Sequence, residues 1–180
     1  MNTQMKDAMR YHSKGFVTLT VLRTDEVEEL GLIQAKPKFV ERVETKNTVL
    51  RAGRRQLAAA LGGNLLTDGF KANVKKMVWG KGGTDISGRK LAVPETATGL
   101  IGGQSNVLVE TWCEGSMAPG DDPTVIFSGV IGKQTAANGY KVDQLGLVLD
   151  DGTYFAVATF GGLVKEAGFT FVLNWTIDLL

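Results

Sequence analysis

Phe169-Thr-Phe-Val-Leu-Asn-Trp-Thr-Ile-Asp178 decides the fold class. Phe169, Phe171, Leu173, Trp175 and Ile177 recur at every second position, with Thr170, Asn174, Thr176 and Asp178 between them. That period belongs to a strand with one face in a core and one outside. Burying the apolar face removes hundreds of Å² from water, on the order of several kcal/mol before chain entropy is charged against it. A segment this apolar is expected at the centre of a sheet, so truncation from the C-terminal side should be poorly tolerated.

Working back, the same period recurs. Leu145, Leu147 and Leu149 run into Asp150-Asp-Gly152 and then Tyr154 to Phe160, a hairpin with its turn residues in place. Val125, Phe127 and Ile131 alternate with Ile126, Ser128 and Val130, and Val107, Val109, Thr111 and Cys113 alternate with Leu108, Glu110 and Trp112. Val74 to Trp79 is a short strand, and Asn138-Gly139 is a turn signal. Near the start, Val17, Leu19 and Val21 share one face opposite Thr18 and Thr20, and Lys38 to Glu44 alternates again. Asp25 to Glu29 reads as a loop or short helical turn, Glu114 to Pro123 as a polar loop, and 84–106 as a connection too long for a hairpin turn.

One segment breaks the pattern. Val49, Gly53, Leu57, Ala60 and Leu61 follow helical spacing, Thr45 or Asn47 can cap the start, and Gly62-Gly63 is a stop. About eight strands and one principal α-helix near residues 46–61 predict a mainly β protein. The expected architecture is a two-sheet antiparallel sandwich of jelly-roll-like kind, with residues 1–14 an N-terminal segment or arm and 15–180 a single domain. Glycine, 23 of 180 residues, exceeds the ordinary share of roughly 7%, as many turns between short strands require.

Composition narrows the function classes. No apolar run reaches transmembrane length, and Met1 to Lys14 lacks the apolar stretch of a secretory signal. The single Cys113 excludes an internal disulfide, and the single His12 leaves little for histidine chemistry. Cys113 reads as a structural thiol. Gly80-Lys-Gly-Gly-Thr84 and Gly132-Lys-Gln-Thr135 lack the spacing and the following helix of a phosphate loop. Asp121, Asp122, Asp150 and Asp151 sit in turn contexts, and Asp143 adds no recognisable acid–base or calcium pattern. We therefore expect no catalytic residues, no metal and no cofactor.

The net charge of +1 conceals a split. Residues 1–90 hold 17 Lys/Arg against 9 Asp/Glu, and residues 91–180 hold 3 against 10. Lys46, Arg51, Arg54 and Arg55 supply all the charge of the helical segment and form the candidate assembly interface. An acidic edge of a second copy is the expected partner, in a head-to-tail interface that closes into a ring. Nucleic acid is disfavoured because no base-reading module accompanies the basic stripe.

The order of segments resembles a group of tailed-bacteriophage virion proteins labelled neck, collar, tail-fibre or baseplate-associated. The residues that carry the likeness are Lys46-Asn-Thr-Val-Leu50, the glycine-terminated helix, Trp79-Gly-Lys-Gly-Gly83, Pro94-Glu-Thr-Ala-Thr-Gly-Leu100, Leu145-Gly-Leu147, Phe155-Ala-Val-Ala-Thr-Phe160 and Asn174-Trp-Thr-Ile177. The similarity covers roughly residues 45–177. It implies a non-enzymatic β-sandwich, most readily a neck or collar component, made in the host cytoplasm and assembled into the virion. Its partners would be copies of itself and portal, adaptor, tail or fibre proteins, with no membrane involved. The alternative is a carbohydrate-binding module at a fibre or baseplate, which would need Trp112, Tyr140 or Tyr154 exposed and clustered.

Overall fold

Phe171, Leu173, Trp175 and Ile177 are all buried, and the strand that carries them, β9 (Phe169–Asp178), lies between two others in the middle of the sheet. The computed structural model describes residues 14–29, 32–61, 73–118 and 124–178. The remaining elements are β1 (Lys14–Glu29), β2 (Leu32–Val49), α1 (Arg51–Leu61), β3 (Val74–Gly80), β4 (Val107–Trp112), β5 (Glu114–Met117), β6 (Thr124–Ile131), β7 (Lys141–Leu149) and β8 (Tyr154–Val164). All strand pairs are antiparallel, in the order β4-β3-β7-β8-β2-β1-β9-β6-β5.

The two ends of that order are neighbours in the chain. Only Cys113 separates β4, which pairs with β3, from β5, which pairs with β6. The Cys113 N–H continues the first ladder to the Lys75 carbonyl at 3.1 Å before the chain turns into the second. The sheet therefore curls until its ends meet across one residue, and the fold is nearly a barrel. Closure of this kind leaves few exposed edges. The interior is filled from every side by Val17, Leu19, Met77, Trp79, Leu145, Leu147, Ala158, Phe160, Phe171, Leu173 and Trp175. Each fully buried Leu or Phe is worth about 1.5–3 kcal/mol in transfer free energy.

A second, smaller core lies outside the barrel wall. Leu50, Val78, Leu100, Val148 and Val157 cluster there, with Val93, Ala97, Val107 and Tyr154 packed against them. The connection from Lys81 to Asn106 crosses this face as a strap, so β7 is buried on both sides from Val142 to Leu149. Helix α1 sits beside β8, with Gly53 against the Phe155 backbone. A Cβ there would lie 2.8 Å from Phe155 Cα, so only glycine lets the helix approach this closely.

Several expectations need correction. The helix begins at Arg51, and Lys46 belongs to β2, where Asn47, Thr48 and Val49 pair with β8. Those long-range ladder bonds outweigh the local capping pattern at Thr45 and Asn47. Asp25 to Glu29 is strand, in register with Leu32 to Lys36, because hairpin pairing satisfies a backbone that poor strand formers would otherwise leave open. Glu114 to Met117 is strand β5, with all four residues exposed, and Asp121 and Asp122 fall outside the described residues. Among the described residues the strands therefore number nine.

Candidate functional site

The most unusual feature is the reach of the first hairpin. Strand β1 pairs with β9 only as far as Arg23. Beyond Arg23 and Lys38 the ladder is two strands wide, running from Thr24↔Pro37 to Glu29↔Leu32. Six residues per limb project about 20 Å past the last paired strand of the sheet. By sequence this tip holds Asp25, Glu26, Glu28 and Glu29 against the single Lys36. At its base Phe39 is 59% exposed, and Val40 is also open to solvent.

The charge split along the sequence does not become two edges. Strands from the basic half, β1, β2 and β3, are interleaved with β7, β8 and β9 from the acidic half. By sequence the densest acidic run, Asp25 to Glu29, falls on the projecting limb of β1, inside the half that reads as basic. Of the four candidate cations, Arg51, Arg54 and Arg55 come together in the first turn and a half of α1. Arg51 and Arg55 are exposed and share a helix face at i, i+4 spacing. Arg54 is neutralised by an ion pair with Glu95 of the strap. Lys46 is exposed on β2, outside the helix.

The strap is pinned by polar side chains of β7 and β8. Gln144, fully buried, accepts from the Ile101 N–H at 2.9 Å, and its amide nitrogen donates to the Ile101 carbonyl at 3.0 Å and to the Lys81 carbonyl. Asp143 accepts from the Gly83 N–H and the Thr84 hydroxyl, each at 2.7 Å. The Thr159 hydroxyl donates to the Leu91 carbonyl at 2.6 Å, and the Arg51 N–H reaches the Glu95 carbonyl at 2.7 Å. Gly102 and Gly103, both with positive φ, turn the strap into its final 3-10 segment. The carboxylate of Asp143 is thus a clamp on the Gly83–Thr84 segment of the strap.

Between the strap and the start of β8 lies a cleft of about 580 Å³, walled by Leu91, Pro94, Ala97, Leu100, Ile101 and Tyr154. No charged residue lines it among the described residues. Burial and the Glu110 charge push the Tyr154 hydroxyl pKa up, which keeps it a neutral donor. Pro94 ties the cleft to Glu95 and so to Arg51 and Arg54. An apolar hollow therefore adjoins a basic helix start.

Two other groups are structural. Cys113 is buried at the bend that closes the barrel, and desolvation raises its pKa to about 11. The Lys165 side chain is fully buried after β8. Its Nζ donates to Glu166 O at 2.9 Å, Asn138 Oδ1 at 3.0 Å and Lys133 O at 3.4 Å, and desolvation lowers its pKa. It clasps the 132–140 loop, which also bonds through Gly139 N–H to the Lys165 carbonyl at 2.7 Å. Among the tryptophans, Trp79 and Trp175 are core and Trp112 is 75% exposed. Tyr140 and Tyr154 flank opposite ends of β7, so Trp112, Tyr140 and Tyr154 do not make one stacking platform.

Sequence reading missed the Asp143–Gln144 clamp and Lys165. The visible signal for the clamp was a polar pair heading the apolar run Leu145 to Leu149. Among the described residues no His/Cys/Asp/Glu group is placed to hold a metal ion, and no helix is long and apolar enough to cross a membrane. No protein family, curated protein or solved structure matches this chain.

Proposed function

We propose that this chain is a non-enzymatic structural component of a tailed-phage virion, a neck or collar subunit that packs into a symmetric oligomer. The observation that carries the reading is the two-stranded extension of β1 and β2 beyond the barrel. A ribbon of two strands is marginally stable in water by itself, and it gains most from being covered by a neighbour. Exposed Phe39 and Val40 at its base add apolar surface of the kind that marks contact sites. The phage setting is supported by the resemblance over residues 45–177. In this reading the nearly closed barrel acts as two facing sheets that share β2, with portal, adaptor, tail or fibre proteins as further partners.

Sedimentation velocity and negative-stain imaging of the full chain test the proposal. A variant in which Asp25 to Lys36 are replaced by an Asn-Gly turn keeps the barrel ladder and removes the projection. Discrete rings or higher oligomers for the parent and monomers for the shortened chain support it. A monomeric parent at tens of micromolar refutes it.

A further inference from the structure

We infer that the outer wall of β3 and β4 carries a binding site for a neutral pyranose ring, built from Trp112, the Lys76–Glu110 ion pair and the Tyr154 hydroxyl. The inference goes beyond the assembly reading and does not depend on it. Its centre is Trp112, 75% exposed, whereas Trp79 and Trp175 are fully buried. The strand register places its neighbours. Lys76 is its direct partner on β3, and Glu110 pairs with Val78, so Glu110 and Trp112 share one face of β4 beside Lys76 and Val78. Val78 belongs to the small core outside the barrel, which fixes that face as the outer one. Directly paired Cβ atoms lie about 4.5–5.5 Å apart, so Lys76 and Trp112 leave the sheet side by side. Lys76 Nζ and Glu110 Oε2 meet at 3.0 Å, with both side chains open to solvent.

Tyr154 reaches the same face from β8. Its Cε1 lies 2.7 Å from where a Cβ on Gly146 would sit, so the ring crosses β7 over a position that has no side chain. Gly146 pairs with Val78 and Val78 with Glu110, so the ring lies along the row that ends at Glu110. The Glu110 charge is close enough to act on the Tyr154 hydroxyl. Tyr140 takes no part.

These groups match the two aspects of a sugar ring. The C–H face of a pyranose is apolar and stacks on an open indole. Its rim carries adjacent hydroxyls, each able to donate and to accept. An ammonium that only donates and a carboxylate that only accepts, held side by side, serve such a pair together. Other occupants fit less well. An apolar protein surface pressed on Trp112 would strip water from the ion pair and leave part of its hydrogen-bonding capacity unmet. The carboxylate repels the phosphates of a nucleic acid. An acidic sugar finds no net positive charge, because Glu110 already neutralises Lys76.

The full-length chain is titrated separately with methyl β-galactopyranoside, methyl α-mannopyranoside, methyl β-glucopyranoside and N-acetylglucosamine. Acrylamide quenching of tryptophan fluorescence is the readout, since Trp112 is the one exposed indole of the three. At least one sugar should protect Trp112 with a dissociation constant on the order of 1 mM, as suits a single small ring on an open site. Saturation-transfer NMR then follows the variants. Trp112→Ala should weaken binding at least about tenfold, Glu110→Ala about tenfold, and Trp112→Phe, which keeps a ring face, no more than about threefold. Melting temperatures should match the parent, because exposed ion pairs contribute little to stability. No protection by any of the four sugars about tenfold above the expected constant overturns the inference. Binding that survives both Trp112→Ala and Glu110→Ala also overturns it. Protection of Trp112 that appears only with rising protein concentration, and with no sugar effect, makes the platform a protein contact, which overturns the inference and supports the assembly reading.

Discussion

Replacing Gln144 by Leu tests whether the strap is held by the hydrogen bonds described for it. Leucine approximates the volume but offers neither acceptor nor donor. The Ile101 N–H then loses its partner, and the Ile101 and Lys81 carbonyls lose their shared donor in a fully buried position. One orphaned buried donor costs about 1–3 kcal/mol, and the carbonyls add to it, for a total of about 2–4 kcal/mol. That corresponds to roughly thirtyfold to a thousandfold in the opening equilibrium of the strap. Hydrogen exchange at the Ile101 amide reads this directly, because local opening exposes it without unfolding the barrel. Glutamate is a second probe. A carboxylate placed against two carbonyl oxygens has a raised pKa, so its folded form is favoured when protonated. Gln144→Glu should therefore lie closest to the parent near pH 4 and lose stability as pH rises through the raised value. Unchanged Ile101 protection in Gln144→Leu, with stability within about 0.5 kcal/mol of the parent, would refute the clamp.

Other outcomes follow from single contacts. Gly53→Ala improves helix propensity by about 1 kcal/mol, but its Cβ meets Phe155 Cα at 2.8 Å, so urea unfolding should show a net loss of about 1–3 kcal/mol. Lys165 has its folded pKa below the unfolded value of 10.5, so the unfolded chain binds more protons between the two. Stability of the parent relative to Lys165→Met should thus increase as pH rises through that window, and a difference that stays flat or shrinks would contradict the burial described. The Cys113 thiol, with its pKa raised to about 11, should resist iodoacetamide at pH 8 in the folded protein and react promptly in guanidinium.

Strands with one buried face were legible because their alternation is local. Phe171 to Ile177 and the hairpin through Gly152 needed no distant partner to be recognised. The start of α1 was not, since Asn47 to Val49 owe their extended form to β8 residues more than a hundred positions away. Glu114 to Met117 had no apolar alternation to read, because β5 buries none of its residues. The candidate cations were found, yet their meaning shifted. Arg54 is neutralised by Glu95, 41 residues on, and the densest acidic run of the sequence, Asp25 to Glu29, falls on β1 in the basic half. The strap clamp joins Asp143 and Gln144 to backbone groups 43 to 63 residues earlier, a pairing that exists only once the sheet has curled.

The most direct measurement is a cryo-electron microscopy reconstruction of the oligomer formed by the full chain. The expected result is a closed oligomer whose subunits are related by rotation in one sense, with the projecting hairpin of β1 and β2 covered by a neighbouring subunit. A two-fold contact through the barrel wall, with the hairpins left in solvent, would contradict it.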